Sequence, residues 1–284
     1  MGSPTVGRRR LGIELRKLRE QNKFTMERVA EDSGLSEPTL SRVENGKRVL
    51  KQVELRGLLD LYGVRDPLQL QRLRDMAKVA AEDAWWDQYD DVLPSGLGSY
   101  VGLESEAAAL RSFSDRLIHG LLQTEDYCRA VVRAGDHRAS EEAVERRVQL
   151  RVQRQEVLQK RRPPLLRSII DESAIRRTVG GRAAMAAQLR HLIAVSELPD
   201  VSVQVVPFSL GAHAGVDGHF TLIEFEDPEV QQHVYVESSA GNLFIQKRTS
   251  VSEFRERFDR LQMEALSPRE SLTLITEAAE EYER

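Results

Sequence analysis

The stretch Gly34–Lys47, GLSEPTLSRVENGK, decides how the first part of the chain folds. Gly34 accepts the left-handed backbone of a tight turn, and Leu35 can insert its side chain between the elements on either side. Ser36 stands at an N-cap position, Leu40 and Val43 fall on one face of the helix that follows, and Asn45-Gly46 supplies its stop. Pro38 breaks nothing, because a proline in the first turn removes no intrahelical hydrogen bond. Upstream, Thr25 caps a short helix, MERVAEDS, with Val29 and Ala30 inward. Two short helices therefore meet at a turn centred on Gly34-Leu35.

The apolar spacing around this pair predicts more helices. One runs from Arg8 to about Gln21 with Leu11, Leu15 and Leu18 on a single face; another, around Val53–Tyr62, carries Leu55, Leu58, Leu59 and Tyr62 and is closed by Gly63. Asp66-Pro67 opens a long helix through LQLQRLRDMAKVAAEDAWWDQY, basic at first and acidic and aromatic later, which reads as a connector. After LPSGLG the pattern changes. ESEAAALRSF, TEDYCRAVVRAG (with Thr124 as cap) and SEEAVERRVQLRVQRQEVLQKR read as helices, the last with a buried stripe of Val148, Val152, Gln155 and Leu158. LLRSIID, VSVQVVPF, FTLIEF, VYVES and LFIQ read as strands, with a helix between the first two and two more at the end of the chain. The expected architecture is an N-terminal all-α helix-turn-helix bundle over 8–66, a connector helix over 67–92, and a C-terminal mixed α+β domain with a largely antiparallel sheet over 93–284.

Composition narrows the function classes. The 284 residues are 40% hydrophobic and 30% charged with a net charge of −4, as in ordinary globular proteins. Cys128 is the single cysteine, so no disulfide and no thiolate metal cluster can form within one chain, which suits a reducing cytoplasm. The opening MGSPTVGRRRLG has no apolar run of signal-peptide length, and Met1-Gly2 reads as a small flexible start rather than a lipidation site. Charge is uneven: 17 basic against 11 acidic residues through Lys78, then 24 against 34. A basic module that attracts phosphate backbones precedes an acidic body that repels them.

The pattern T-M-E-R-V-A…G-L-S…T-L-S-R-V-E-N-G resembles the XRE family, the phage-repressor-like helix-turn-helix regulators, over about Leu11–Tyr62. The resemblance implies that Ser36–Glu44 is a recognition helix entering a DNA groove, with Glu37, Pro38 and Arg42 facing base edges. Arg42 can make a bidentate contact to guanine, Thr39 can meet a thymine methyl or a phosphate, and Pro38 can read only shape or a methyl. Glu37 beside phosphates acts more by rejecting wrong sequences than by adding affinity. Thr25 and Met26 would approach a phosphate, as would Ser36 and Ser41 on the recognition helix, Lys47 and Arg48 just past it, and the cluster Arg8, Arg9 and Arg10. The family also implies a structural pair, Arg19 with Glu44.

Further segments, among them WWDQYDDVLPSGLGSYVGLESEA, GLLQTEDYCRAVV, IIDESAIRRTVGG and VSVQVVPFSLGAH, are similar to actinobacterial antitoxin-like XRE regulators over roughly Trp85–Ala278. That group more often has proline where this chain has His119. The resemblance implies a cytoplasmic, nucleoid-associated transcriptional regulator, homodimeric on a pseudo-palindromic double-stranded DNA operator, with a small co-encoded protein or a ligand at the C-terminal domain. Two alternatives stand beside it: an antitoxin that sequesters a co-encoded toxin and autoregulates its promoter, and an enzyme tethered to a DNA-binding module. For the last, SLGAHAGVDGH offers His213, Asp217 and His219, and Glu172 (near Arg176 and Arg177) and Glu237 lie near strand ends. With no HExxH pattern, the expectation is a loop shaping a ligand or partner site, no catalytic residue, no metal and no cofactor. Trp85 and Trp86 are expected to pack at the domain junction.

Overall fold

A computed structural model of the chain describes residues 6–81, 85–89, 91–94, 96–228, 230–238 and 241–284. It divides into two compact units, one reaching to Asp90 and including Gly98–Leu103, the other formed by Asp91–Leu97 and Glu104–Arg284.

The first unit is helical: α1 (Val6–Gln21), α2 (Met26–Ser33), α3 (Glu37–Glu44), α4 (Gln52–Leu61) and α5 (Pro67–Ala81). Leu11, Leu15 and Leu18 of α1 meet Val29, Leu40, Val43, Leu55, Leu58, Leu59 and Tyr62 in one buried cluster. Gly34 closes α2 at φ 70°, and Leu35 packs against the same cluster, so the turn forms where the glycine and the leucine require it. The helix read as a connector differs from the expectation. α5 packs along α1, with Leu73 fully buried and Ala80 nearly so, because its apolar positions find the bundle core. Its described helix stops at Ala81; residues 82–84 and 90 of the predicted connector lie outside the described residues, as do Met1 and Gly2. Trp85–Tyr89 form a 3-10 turn in which Trp86 is buried and lies edge-on to Trp85.

The helix α6 (Leu97–Ser105) contributes Gly98–Leu103 to the first unit. The second unit is a six-stranded mixed sheet with helices: β1 (Ala109–Ser114), α7 (Glu125–Gly135), α8 (Glu141–Gln155), β2 (Leu165–Asp171), α9 (Glu172–Arg176), α10 (Arg182–Val195), β3 (Val201–Val206), β4 (Phe220–Glu224), β5 (His233–Ser238), β6 (Gly241–Ile245), α11 (Arg248–Glu264) and α12 (Pro268–Glu283). The strand order is β3-β2-β1-β4-β5-β6. β1, β2 and β3 run parallel, while β1/β4, β4/β5 and β5/β6 are antiparallel. Phe113, Ile169, Phe220, Leu222 and Val234 of the sheet bury against Val251, Phe258 and Leu261 of α11. α12 packs on α10 and β3, and α7 and α8 close on Cys128, Val132, Val144 and Val148.

One expectation fails here. ESEAAALRSF, read as a helix, contains β1, which pairs with both β2 and β4 at the middle of the sheet. Leu110, Ser112 and Phe113 are all buried, as expected of a strand covered on both faces, so the alternation that betrays a surface strand is missing.

Candidate nucleic-acid interface

α3 has a polar outer side and an apolar inner side. Ser36, Glu37, Pro38, Ser41 and Arg42 are exposed and Thr39 is half-buried, whereas Leu40, Val43 and Glu44 are buried. The four groups expected to read bases therefore lie on α3 outside its buried stripe, and Arg42 is the only cation among them. Ser36 occupies the N-cap at φ −71°, ψ 150°, but its hydroxyl caps no backbone N–H. It donates instead to Thr39 Oγ1 at 3.0 Å, while the N–H groups of Thr39 and Leu40 bond its carbonyl. Arg42 folds back along the helix: Nε donates to the Pro38 carbonyl at 3.1 Å and Nη2 to Thr39 Oγ1 at 3.4 Å. Ser41 is occupied locally, its carbonyl accepting from Asn45 Nδ2 at 2.7 Å.

The inner side is held by charge. Glu44 is only 5% exposed, and its carboxylate accepts from Arg19 Nε at 2.7 Å and Nη2 at 3.0 Å. Arg19 also donates Nη1 to the Phe24 carbonyl, and its hydrogen bond to Glu44 raises its pKa. Sequence reasoning missed two further parts of this joint. Arg16 Nε reaches Glu44 at 3.1 Å while its Nη2 reaches Asn45 Oδ1 at 3.2 Å, so α1 grips α3 with two arginines. Gly12 lets the backbones touch: a Cβ there would lie 2.5 Å from the Glu44 carbonyl oxygen and 2.6 Å from that of Val43. A glycine inside a helix costs roughly 0.5–1 kcal/mol relative to alanine, and that cost was the readable signal. Burial pushes the nearby Tyr62 hydroxyl up to about 12, with the Glu44 charge adding to it.

The expected backbone contacts divide. Thr25 is exposed and caps α2, its hydroxyl accepting from the Arg28 N–H at 3.2 Å. Met26 packs its side chain against the core, which leaves its backbone N–H at the open end of the helix. Lys47 is exposed, with its own N–H tied to the Arg42 carbonyl at 2.7 Å. Arg48 is half-buried and paired with Glu54 at 2.7 Å; this hydrogen bond holds the Glu54 carboxyl below its usual range, and the same carboxylate accepts the Lys51 N–H. Its charge already serves the start of α4. The arginine cluster needs a correction. Arg8 is 7% exposed and donates Nε to the Ala80 carbonyl at 3.0 Å, so it closes the end of α5 instead of meeting a phosphate. Arg9 is half-buried against Gly46, where a Cβ would come within 2.9 Å of its backbone nitrogen, and desolvation lowers its guanidinium pKa. Arg10 is the exposed member of the three.

In the second unit, the residues weighed for catalysis are engaged pairwise. His213 Nε2 lies 3.4 Å from Asp171, His219 Nδ1 lies 3.4 Å from Asp115, and Asp217 pairs with Arg257 at 3.0 Å. Hydrogen bonding with His219 holds the Asp115 carboxyl below its usual range. Glu172 accepts the Phe208 N–H at 2.8 Å and pairs with Arg176, while Glu237 is exposed on β5. Among the described residues, no group of three His, Cys, Asp or Glu side chains could hold a metal ion. Beside β3 a groove of about 560 Å³ opens between Arg167, Asp200, Ser202, Gln204, Gln262 and Ser267.

A short second helix with an exposed polar ridge, mounted through a buried carboxylate on the helix beneath it, is the working part of a helix-turn-helix DNA-binding protein. Residues 10–73 match a helix-turn-helix domain, as that geometry requires. Residues 97–277 match a domain of unknown function (DUF5753), and since this match spans more than half of the chain, the chain belongs to the DUF5753 family. Neither the curated proteins nor the solved structures gave a match. No helix among the described residues is long and apolar enough to cross a membrane.

Proposed function

We propose that this chain is a sequence-specific transcriptional regulator of the XRE type, akin to the antitoxin-like group of actinobacteria, whose C-terminal domain receives a small co-encoded protein or a ligand. The observation that carries this reading is the outer side of α3, where Arg42 and Thr39 form a polar ridge over a buried Leu40, Val43 and Glu44. A single module of this size offers few base contacts, so binding as a homodimer to a pseudo-palindromic operator supplies the missing affinity. The groove beside β3 gives the received signal a place to act. In this reading the domain acts as a receiver and needs neither a catalytic residue nor a cofactor.

Selection of bound sequences from random duplex DNA with the full chain tests the reading. The expected product is a two-fold repeated half-site with centres about 10 base pairs apart; recovery of unenriched DNA would sink it. Arg42→Ala should lose about 1–3 kcal/mol of discrimination at one base position and leave the other positions unchanged. An affinity for the selected DNA that no co-encoded small protein or ligand alters would remove the sensing part of the proposal.

A further inference from the structure

The outer side of α3 is organised around one side chain. Arg42 has five N–H donors, and two of its nitrogens are already engaged with its own helix. Nε–H meets the Pro38 carbonyl at 3.1 Å, and Nη2 meets Thr39 Oγ1 at 3.4 Å. Nε and Nη2 form one edge of the planar fork, so that edge lies against the helix. The donors that remain are both hydrogens of Nη1 and one of Nη2; one hydrogen from each nitrogen makes the end-on edge.

Thr39 Oγ1 is the hinge of the arrangement. It accepts from Arg42 on one side and from the Ser36 hydroxyl, at 3.0 Å, on the other. Ser36, Thr39 and Arg42 thus form a hydrogen-bonded row at spacings of three residues, the rise at which helical side chains stand above one another. Pro38 contributes its carbonyl and fixes its own backbone angle, so the acceptor for Nε sits on a stiffened first turn.

We propose that Pro38 and Thr39 are positioning residues that hold Arg42 for end-on recognition of a single guanine, with Thr39 making no base contact of its own; this rests on the reading of α3 as a DNA-recognition helix. Guanine is the base whose major-groove edge presents two acceptors, N7 and O6, side by side, and a fork with Nη1 and Nη2 available matches that pair. Thymine offers one acceptor beside a methyl, and adenine pairs its acceptor with a donor, so neither satisfies two adjacent N–H groups. The inference reassigns Thr39, expected from sequence to touch a thymine methyl or a phosphate, and gives Pro38 a role that needs no base hydrogen bond.

The test uses the full chain and the duplex it selects from random DNA. Each guanine of the half-site is replaced in turn by 7-deazaguanine, which removes N7 alone, and affinities are measured for the wild type and for Thr39→Val, Thr39→Ser and Arg42→Ala. The wild type should lose affinity at one guanine by roughly tenfold, and Arg42→Ala should be indifferent to that replacement. Thr39→Val keeps the shape and removes the hydroxyl, so its discrimination at that guanine should fall about threefold to tenfold, with its thermal midpoint unchanged. Thr39→Ser should restore it. Discrimination in Thr39→Val equal to wild type overturns the positioning role, as does failure of Thr39→Ser to rescue. An Arg42→Ala variant that weakens every sequence evenly makes Arg42 a phosphate contact and overturns guanine reading. Absence of any selected DNA overturns the recognition-helix reading itself.

Discussion

Each unit buries a carboxylate against arginine, and the two pairs are built for opposite ends. Glu44 accepts from Arg19 and Arg16, which approach from α1, while the far side of the same helix carries exposed polar groups. Glu104 accepts from Arg154 Nε at 2.8 Å and Nη2 at 2.9 Å, with side chains 2% and 5% exposed, and beside the pair lies His119, itself buried. The first pair orients a surface; the second is closed in on all sides. A buried pair stabilises little in total but makes the loss of one partner costly. In the first unit that cost falls on the alignment of α3, and in the second it falls on the integrity of the domain.

The contrast can be broken experimentally. Glu104→Ala leaves Arg154 charged and enclosed, so it should destabilise the C-terminal unit by about 3–5 kcal/mol, read by hydrogen exchange of the β-sheet amides. Glu44→Ala should cost less, about 3 kcal/mol, because Arg19 keeps the Phe24 carbonyl and Arg16 is 43% exposed. Its loss of DNA affinity should exceed what the unfolded fraction explains; affinity that tracks only the folded fraction would remove the orienting role of the pair.

pH sharpens the comparison. Burial lowers the His119 pKa from 6.5 to about 4, against the pull of Glu104. Below 6.5 the unfolded chain takes up a proton that the folded chain refuses, so stability is full above that pH and falls by about 1.4 kcal/mol per unit towards the folded value. His119→Asn should flatten the dependence of the C-terminal unit between these limits, measured by urea midpoints; an unchanged slope would place its origin elsewhere. The smallest effect belongs to an exposed cation of the first unit. Lys47→Ala should weaken all DNA sequences evenly and reduce the salt slope by about one.

The legible parts of the molecule were those that local chemistry dictates. Thr25, Gly34 and the Asn45-Gly46 stop gave α2 and α3 their limits because caps and left-handed turns depend on single residues. Arg19 and Glu44 were legible through family resemblance. β1 was hidden because a strand buried on both faces carries no alternation, and Ala107 and Ala108 before it, with Ala109 at its start, suggest helix. Arg8 was misplaced because charge runs predict solvation: the Ala80 carbonyl that takes it is 72 residues distant, beyond the reach of any local pattern. His119 shows the reverse. Its backbone at φ −55°, ψ 140° lies within the range of proline, a conformation that no pattern of charge or hydropathy marks.

Gly12 carries one more consequence. Because α1 meets the last turn of α3 backbone to backbone, no flexible side chain lies between them at that point to absorb movement. The same helix carries α5, through Arg8 on the Ala80 carbonyl and Glu14 paired with Arg72. α1 is therefore an axle shared by α3 and α5: it meets α3 at Gly12 with no side chain between them, and it holds α5 through arginine side chains.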